Sequence, residues 1–102
     1  MQVTWVVVAD HDRATIYAVP RGMARLRELR ELASAAELAP YLEEARLEGR
    51  FDELVLVAAP TILSHLRDSL SQTVRDALVG EISKNLAAAG RETLQEEVLR
   101  VL

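Results

Sequence analysis

The chain has 102 residues, a formal net charge of −4 and no cysteine. A chain of this length forms one domain, so we interpret residues 1–102 as a single domain. The lack of cysteine excludes disulfides, thiolate nucleophiles and cysteine-based zinc sites, and the acidic balance argues against a strongly basic nucleic-acid binder.

Neither a signal peptide nor a membrane span is predicted. The opening Met1-Gln2-Val3-Thr4 lacks the basic segment that precedes a cleavable leader. No apolar run approaches the roughly 18 residues that a membrane-spanning helix needs. We therefore expect a cytoplasmic protein with no membrane partner.

Two short apolar runs predict strands that are buried on both faces of a sheet. The runs, Val3 to Ala9 and Leu54 to Ala58, are nearly unbroken and end in turn or breaker signals. The polar turn over residues 10–13 joins the first run to an antiparallel strand, Ala14 to Val19, which is rich in β-forming residues. A helix between the two buried strands would make them a parallel pair.

The segment Met23 to Leu32 stays open between two interpretations. Its apolar residues recur at every third position, which suits a helix face. The turn before it and the helix start after it leave room for a third strand at the edge of the sheet.

Capping signals predict where the helices begin. Ser34-Ala35-Ala36-Glu37 is a capping box, so a first helix should begin at Ala35 and end at Gly49. Pro60 opens a second helix, and Ser71 is placed to cap another short helical turn.

The remaining residues predict one more strand and one more helix. Val79 to Leu86 alternates between apolar and polar residues, which indicates a strand. Arg91 to Leu102 has apolar residues at helical spacing and should form the last helix.

The resulting order, β-β-β-α-β-α-β-α, predicts an α/β fold. Because parallel crossovers are right-handed, the simplest arrangement is a mixed five-stranded sheet in the order 3-2-1-4-5, with strand 2 antiparallel and helices packed on the sheet. This is the topology of ribonuclease H-like folds. The buried strand residues should be Val6, Val8, Leu54, Leu56 and Val57, with Leu38, Leu42, Leu63 and Leu66 packed over them.

Asp10, His11 and Asp12 form the only local cluster of residue types that bind metals. Their place at the end of the first strand suits a magnesium-dependent nuclease, but such a site needs several carboxylates from different elements. We therefore interpret the three as a turn site, in which aspartate accepts hydrogen bonds from backbone N–H groups. We expect no metal there.

Arg21, Arg25, Arg27 and Arg30 form the one local concentration of basic residues. They are candidate contacts to RNA phosphates or to a protein partner. Charged residues on an edge strand also discourage aggregation between sheets, and that interpretation is favoured.

Other catalytic and cofactor motifs are missing from the sequence. No serine lies in a Gly-x-Ser-x-Gly elbow, and Ser64 and His65 are neighbours on a helix that point in different directions. The four glycines are isolated from one another, so no phosphate-binding loop exists. We expect no catalytic residues and no cofactor.

Two blocks of the sequence resemble a known family. Thr4 to Asp10, followed by Arg13-Ala14 and Ile16-Tyr17, is similar to the start of the bacterial host attachment proteins, which are related to the middle domain of archaeo-eukaryotic peptide release factors. The block from Glu48 to Ala58, with Pro60 and the leucines that follow, resembles the central strand and helix of that family. The later stretch Glu81-Ile82-Ser83-Lys84-Asn85-Leu86 resembles its Glu-Ile-Asp-Lys-Asp-Leu pattern, with both aspartates replaced.

This chain differs from the family that it resembles by lacking one long insertion. Family members usually carry a long polar insertion between the third strand and the first helix, where release factors carry the Gly-Gly-Gln tripeptide that positions water at the peptidyl-tRNA ester. Here Leu32-Ala33-Ser34 joins the two elements almost directly, and the chain has no Gly-Gly pair. The resemblance therefore implies association with the ribosome or tRNA and argues against hydrolysis.

Our hypothesis from the sequence is a non-enzymatic binding module of the host attachment type, acting at the ribosome, on tRNA or on a protein partner. A reduced peptidyl-tRNA hydrolase and a metal-dependent nuclease built on Asp10 remain as alternatives. Loss of the insertion also uncovers the edge of the sheet, so we expect a homodimer.

Overall fold

The computed structural model describes residues 3–20 and 25–102. The strands are β1 (Val3–Ala9), β2 (Ala14–Pro20), β3 (Arg27–Leu32), β4 (Glu53–Val57) and β5 (Leu78–Ile82). The helices are α1 (Leu38–Leu47), α2 (Pro60–Ser69), α3 (Gln72–Arg75) and α4 (Arg91–Val101), and a 3-10 turn at Ala35–Glu37 precedes α1. In this part of the chain no helix combines the length and the apolar character needed to cross a membrane.

The five strands form one mixed sheet in the order β3-β2-β1-β4-β5, which confirms the predicted topology. β1 is antiparallel to β2 and parallel to β4, with Val6 opposite both Tyr17 and Val55. β2 is antiparallel to β3, and β4 is parallel to β5. The strands β1, β3, β4 and β5 therefore all end at one edge of the sheet, its carboxyl edge.

The helices divide between the two faces of the sheet. One face packs against α1, α2 and α3, in a core that includes Leu42, Leu56 and Leu66. Both crossovers, β3 to β4 and β4 to β5, run in the same direction across the sheet, so one handedness places their helices on the same face.

The other face is covered by α4, through Leu94 and Val98. This corrects the predicted packing in one respect, because Val6, Val8 and Val57 lie on the α4 face and not beneath Leu38, Leu42, Leu63 and Leu66. Successive strand residues point to opposite faces, so one layer of helices cannot cover them all.

The ambiguous segment is a strand where it is described. β3 spans Arg27–Leu32 at the sheet edge, and five of its six residues are exposed. Met23 lies outside the described residues. Pairing between β2 and β3 shifts by one residue between Ile16 and Tyr17, which leaves Leu29 as the extra residue of a bulge.

Helix α1 begins later than the capping box predicts. The backbone N–H of Glu37 donates to the carbonyl of Ser34 at 3.3 Å in the 3-10 turn, and the N-cap of α1 is Glu37. A helix starting at Ala35 would need the N–H of residue 40 to bond the carbonyl of Ala36, and Pro40 has none. Starting at Leu38 places Pro40 in the first turn, where no such donor is required.

Strand β5 ends at Ile82 and does not reach Leu86 as predicted. Its last ladder position pairs with Val57, the final residue of β4, and the N–H of Ala58 then donates to the carbonyl of Ile82 at 3.1 Å. Beyond this point the chain after β4 turns into α2, so residues 83–86 have no neighbouring strand to pair with among the described residues.

An aromatic row joins the sheet to α1. The ring of Trp5 stacks between Tyr41 and Phe51, at centroid distances of 6.2 and 4.8 Å. The guanidinium groups of Arg30 and Arg46 lie over the outer rings, 5.1 Å from the Tyr41 centroid and 6.0 Å from that of Phe51. Such cation–π contacts hold these two arginines against the fold.

Candidate functional site at the carboxyl edge of the sheet

Asp10 organises the turn between β1 and β2. Its Oδ1 atom accepts hydrogen bonds from the backbone N–H groups of Asp12 and Arg13, at 2.9 and 2.8 Å. These two bonds, with a smaller contribution from the Arg13 charge, lower the pKa of Asp10 below its usual 3.8. The carboxylate is therefore charged at neutral pH and is engaged with its own turn.

His11 and Asp12 point outward from the same turn and are exposed. Within residues 3–20 and 25–102, no three His, Asp or Glu side chains are grouped in a way that could hold a metal ion. The turn thus places three residues that could bind a metal side by side along the chain without surrounding a common point.

Two adjoining clefts lie on the face that α4 covers, the first beside this turn and the second farther away, next to the start of β3. The first, of about 250 Å³, is lined by Asp10, Arg13, Tyr17 and Arg91 with a floor of apolar side chains. The second, of about 330 Å³, is lined by Arg25, Arg91 and neighbouring residues of α4. Arg91 lies in both, and we call the combined feature, lined by Asp10, Arg13, Tyr17, Arg25 and Arg91, the Tyr17 groove.

Tyr17 lies at the centre of the groove. The guanidinium of Arg91 lies 5.7 Å from the centroid of its ring. Burial raises the pKa of Tyr17 above its usual 10.0 and the charge of Glu28 adds to the rise, whereas the charge of Arg91 opposes it. The phenol is therefore protonated at neutral pH and keeps its O–H as a donor.

The segment that carries Arg25 is tied to α4. The backbone N–H of Leu26 donates to Oε1 of Gln95 at 3.1 Å, and Gln95 lies one helical turn after Arg91. Leu26 itself is buried among the residues that pack on α4. This bond explains why two arginines so distant in sequence line one cleft.

The arginines of the groove differ in their partners. Arg13 lies 3.3 Å from Glu31 in an ion pair between half-exposed side chains. Arg25 and Arg91 are exposed, and among the described residues neither forms an ion pair. Glu92 lines the second cleft without pairing with either.

The structure separates the arginines that the sequence groups together. Arg25 lies in the groove, whereas Arg30 lies over Tyr41 on the opposite face of the sheet. Arg27 is opposite Ala18 and shares the face of Arg30. Arg21 lies outside the described residues. Sequence reasoning missed Arg91, because only the packing of α4 brings it beside Tyr17 and Arg25.

The connection between β3 and the 3-10 turn consists of Ala33 and Ser34 alone. It begins beside the β1–β2 turn, since Leu32 pairs with Ala14 and Glu31 contacts Arg13. The short connection that the sequence predicts is therefore present at the carboxyl edge, next to the Tyr17 groove.

Two solved structures share this fold, and one of them is a translation termination factor. A structure described as "Archaeal protein" superposes with a TM-score of 0.65 at 16% identity, over 96% of this chain and 33% of that one. The crystal structure of the archaeal translation termination factor aRF1 gives a TM-score of 0.59 at 12% identity, over 96% and 38%. The chain thus spans about a third of the length of these two structures, and at such identities the likeness concerns the fold.

No curated protein sequence matches the chain. Residues 23–98, about three quarters of the chain, match the sequence model of a family described as "Bacterial archaeo-eukaryotic release factor family 12". The chain therefore belongs to bacterial archaeo-eukaryotic release factor family 12.

Proposed function

We propose that the chain is a non-enzymatic binding module that associates with the translation machinery, at the ribosome or on tRNA. The observation that carries this proposal is the family match over residues 23–98. The likeness of the fold to an archaeal translation termination factor supports it. The resemblance to host attachment proteins supports a less specific form of the same proposal, in which the module binds a protein partner.

The short connection after β3 supports a role without hydrolysis. Two residues, Ala33 and Ser34, can extend at most about 7 Å, since each residue of an extended chain spans about 3.5 Å. A backbone of that reach cannot form a loop that enters a deep ribosomal site and positions water at an ester. This argues against the reduced-hydrolase alternative, because the connection is too short to form the loop that carries the reaction in release factors.

The nuclease alternative depends on Asp10, whose carboxylate is already hydrogen-bonded to the backbone of its own turn. One of its carboxylate oxygens already accepts two backbone N–H groups, and a two-metal or magnesium site needs further carboxylates around the ion. We propose that Asp10 shapes the turn and binds no catalytic metal. Calorimetric titration with magnesium or manganese tests this, and tight stoichiometric binding that Asp10→Asn abolishes would overturn it.

Co-sedimentation with purified bacterial ribosomes, and a parallel gel-shift with deacylated tRNA, test the main proposal. The full chain should pellet with ribosomes or shift the tRNA at low salt and dissociate as salt increases, as expected for phosphate contacts. An acidic protein of similar size serves as the control. If the chain behaves like this control in both assays, the translation proposal is wrong.

We predict that the chain does not release peptide from peptidyl-tRNA. The physical reason is the missing loop, and the measurement is the release of a labelled peptide from purified peptidyl-tRNA, with and without ribosomes. A peptidyl-tRNA hydrolase provides the positive control. Multiple turnovers by the chain would show that the inference from the short connection is wrong.

A further inference from the structure

We propose that the Tyr17 groove binds a phosphate group of an RNA backbone, with Arg25 and Arg91 as the contacting residues and Tyr17 as the residue that positions Arg91. This inference names a site for the proposed association with translation RNA and rests on that function for its choice of ligand. The groove itself is defined by the packing of α4 on β2 and on residues 25 and 26.

The two arginines of the second cleft are the first reason for a phosphate ligand. Arg25 and Arg91 line one cleft, and among the described residues neither has an ion-pair partner. Two guanidinium groups that line one cleft attract an anion to it. A phosphate oxygen pair matches the planar donor geometry of guanidinium, as a carboxylate also does, and the match to a release-factor family favours the phosphate of an RNA.

The second reason is preorganisation. Arg91 lies over the Tyr17 ring, and the segment of Arg25 is held to α4 by the bond from Leu26 to Gln95. Tyr17 is half-buried between β1, β3 and α4, so its ring does not move freely. Both arginines are therefore attached at their bases to ordered elements, and less side-chain entropy is lost when a ligand binds.

The acidic groups nearby are mostly engaged elsewhere. The Asp10 carboxylate accepts two backbone N–H groups, and Glu31 is paired with Arg13. The charge of Glu28 acts on Tyr17, whose pKa it raises. Glu92 lines the second cleft together with Arg25. Glu92 is thus the carboxylate that competes most directly with a bound phosphate. Removing its charge should therefore strengthen RNA binding, whereas removing the arginines should weaken it.

Fluorescence anisotropy with a labelled single-stranded RNA tests the site. An RNA of about ten nucleotides is suitable, because this length is within the usual site size of domains that bind single strands. The variant Arg25→Ala/Arg91→Ala should bind about tenfold more weakly or worse. The slope of log affinity against log salt should fall by about 0.7 for each phosphate that the variant no longer neutralises. Glu92→Gln should bind about two- to threefold more tightly, because a surface charge that repels the phosphate is removed.

The matched control is Arg50→Ala/Arg100→Ala, which removes the same charge from two exposed arginines that are paired with Glu48 and Glu97. This control should keep most of the parental affinity. Tyr17→Leu should bind more weakly while Arg91→Lys retains part of the affinity, and circular dichroism confirms that each variant is folded. Equal loss in the groove variant and the control would overturn the proposal, since binding would then follow net charge alone.

Inorganic phosphate and the ribosome assay separate the remaining outcomes. Parent protein that binds phosphate but no RNA would overturn the RNA assignment. If the groove variant pellets with ribosomes as well as the parent does and binds RNA equally well, this inference fails while the proposed function stands. Parent protein that binds RNA through the groove but does not pellet with ribosomes or shift tRNA supports the site and contradicts the proposed function.

Discussion

Asp10 and Leu56 show two ways in which single residues hold the carboxyl edge in place. Asp10 acts through the backbone, since its carboxylate accepts two N–H groups that would otherwise face water. Leu56 acts through packing, since it is fully buried in the core shared by the sheet and α1 to α3. The first contribution depends on pH and the second does not.

For Asp10 we predict a stabilising effect that disappears in acid. Because folding lowers the pKa of Asp10 below 3.8, the carboxylate stabilises the fold above that value, and this contribution is lost as the pH falls through the folded pKa. Asp10→Asn should therefore lower the free energy of unfolding at neutral pH by less than about 1 kcal/mol, because water screens so exposed a carboxylate, and the difference from the parent should shrink in acid.

Urea unfolding followed by circular dichroism, at neutral pH and at several values below 3.8, measures this difference. Asp12→Asn is the control, because the Asp12 side chain is exposed and should change stability by less than about 0.5 kcal/mol at neutral pH. A difference between parent and Asp10→Asn that stays constant into acid would contradict the explanation.

For Leu56 we predict that substitution by alanine lowers the free energy of unfolding by about 2–5 kcal/mol. The side chain is fully buried in the parallel pair of β1 and β4, so its removal leaves a cavity that the sheet cannot close. Denaturant unfolding measures the change. Leu47→Ala, at a leucine that is 71% exposed, is the matched control and should change stability little. Equal effects at the two positions would show that the core is misassigned.

At the scale of elements, two serines that the sequence marks as helix caps have different outcomes. Ser71 caps α3, where its Oγ atom accepts the N–H of Val74 at 3.3 Å and contacts the Glu43 carboxylate of α1. Ser34 precedes a 3-10 turn, and the α1 N-cap, Glu37, makes no side-chain capping bond. The difference follows from Pro40, which forbids a regular helix from Ala35.

We therefore predict that Ser71→Ala costs about 1 kcal/mol of stability, as other caps do, while Ser34→Ala costs less than about 0.5 kcal/mol. Thermal or urea unfolding of the two variants under one set of conditions provides the comparison. Adding Pro40→Ala to the chain should lengthen α1 toward Ala35 and make Ser34 matter more. Equal costs for the two serines in the parent background would refute the assignment of the helix start.

At the scale of the whole molecule, the two free edges of the sheet differ. The bulge at Leu29 places Arg27 and Arg30 on one face of β3, and Glu28 and Glu31 on the other. Directly opposite residues of antiparallel strands share a face. If β3 paired with the β3 of a second copy, arginine would lie opposite arginine and glutamate opposite glutamate, and these like charges would repel each other. The β5 edge has Val79, which is 47% exposed, and lacks this protection.

The homodimer expected from the sequence should accordingly form through β5 and not through β3. Light scattering at micromolar concentration should give twice the chain mass of 11.3 kDa. Val79→Lys should restore the monomer, because a charge on an edge strand opposes pairing, and Leu47→Lys on α1 is the control that should not. A parent protein that is monomeric throughout this range contradicts the dimer.

Much of the fold could be predicted because the decisive signals are local. The apolar runs of β1 and β4, the polar turn at Asp10 and the breakers at Gly49 and Pro60 each act within a few residues. With right-handed crossovers these signals lead to the observed strand order. The site was predicted only in fragments, as an aspartate turn and a group of arginines with no common surface.

By itself, the sequence determined the turn held by Asp10, the cap at Ser71, the short connection through Ala33 and Ser34, and the order of elements except for the segment that forms β3. Only the tertiary structure decided the end of β5, the face covered by α4 and the meeting of Tyr17, Arg25 and Arg91. The physical reason is range. Turns and caps satisfy hydrogen bonds between near neighbours, whereas strand ends and grooves depend on which distant segment packs against them.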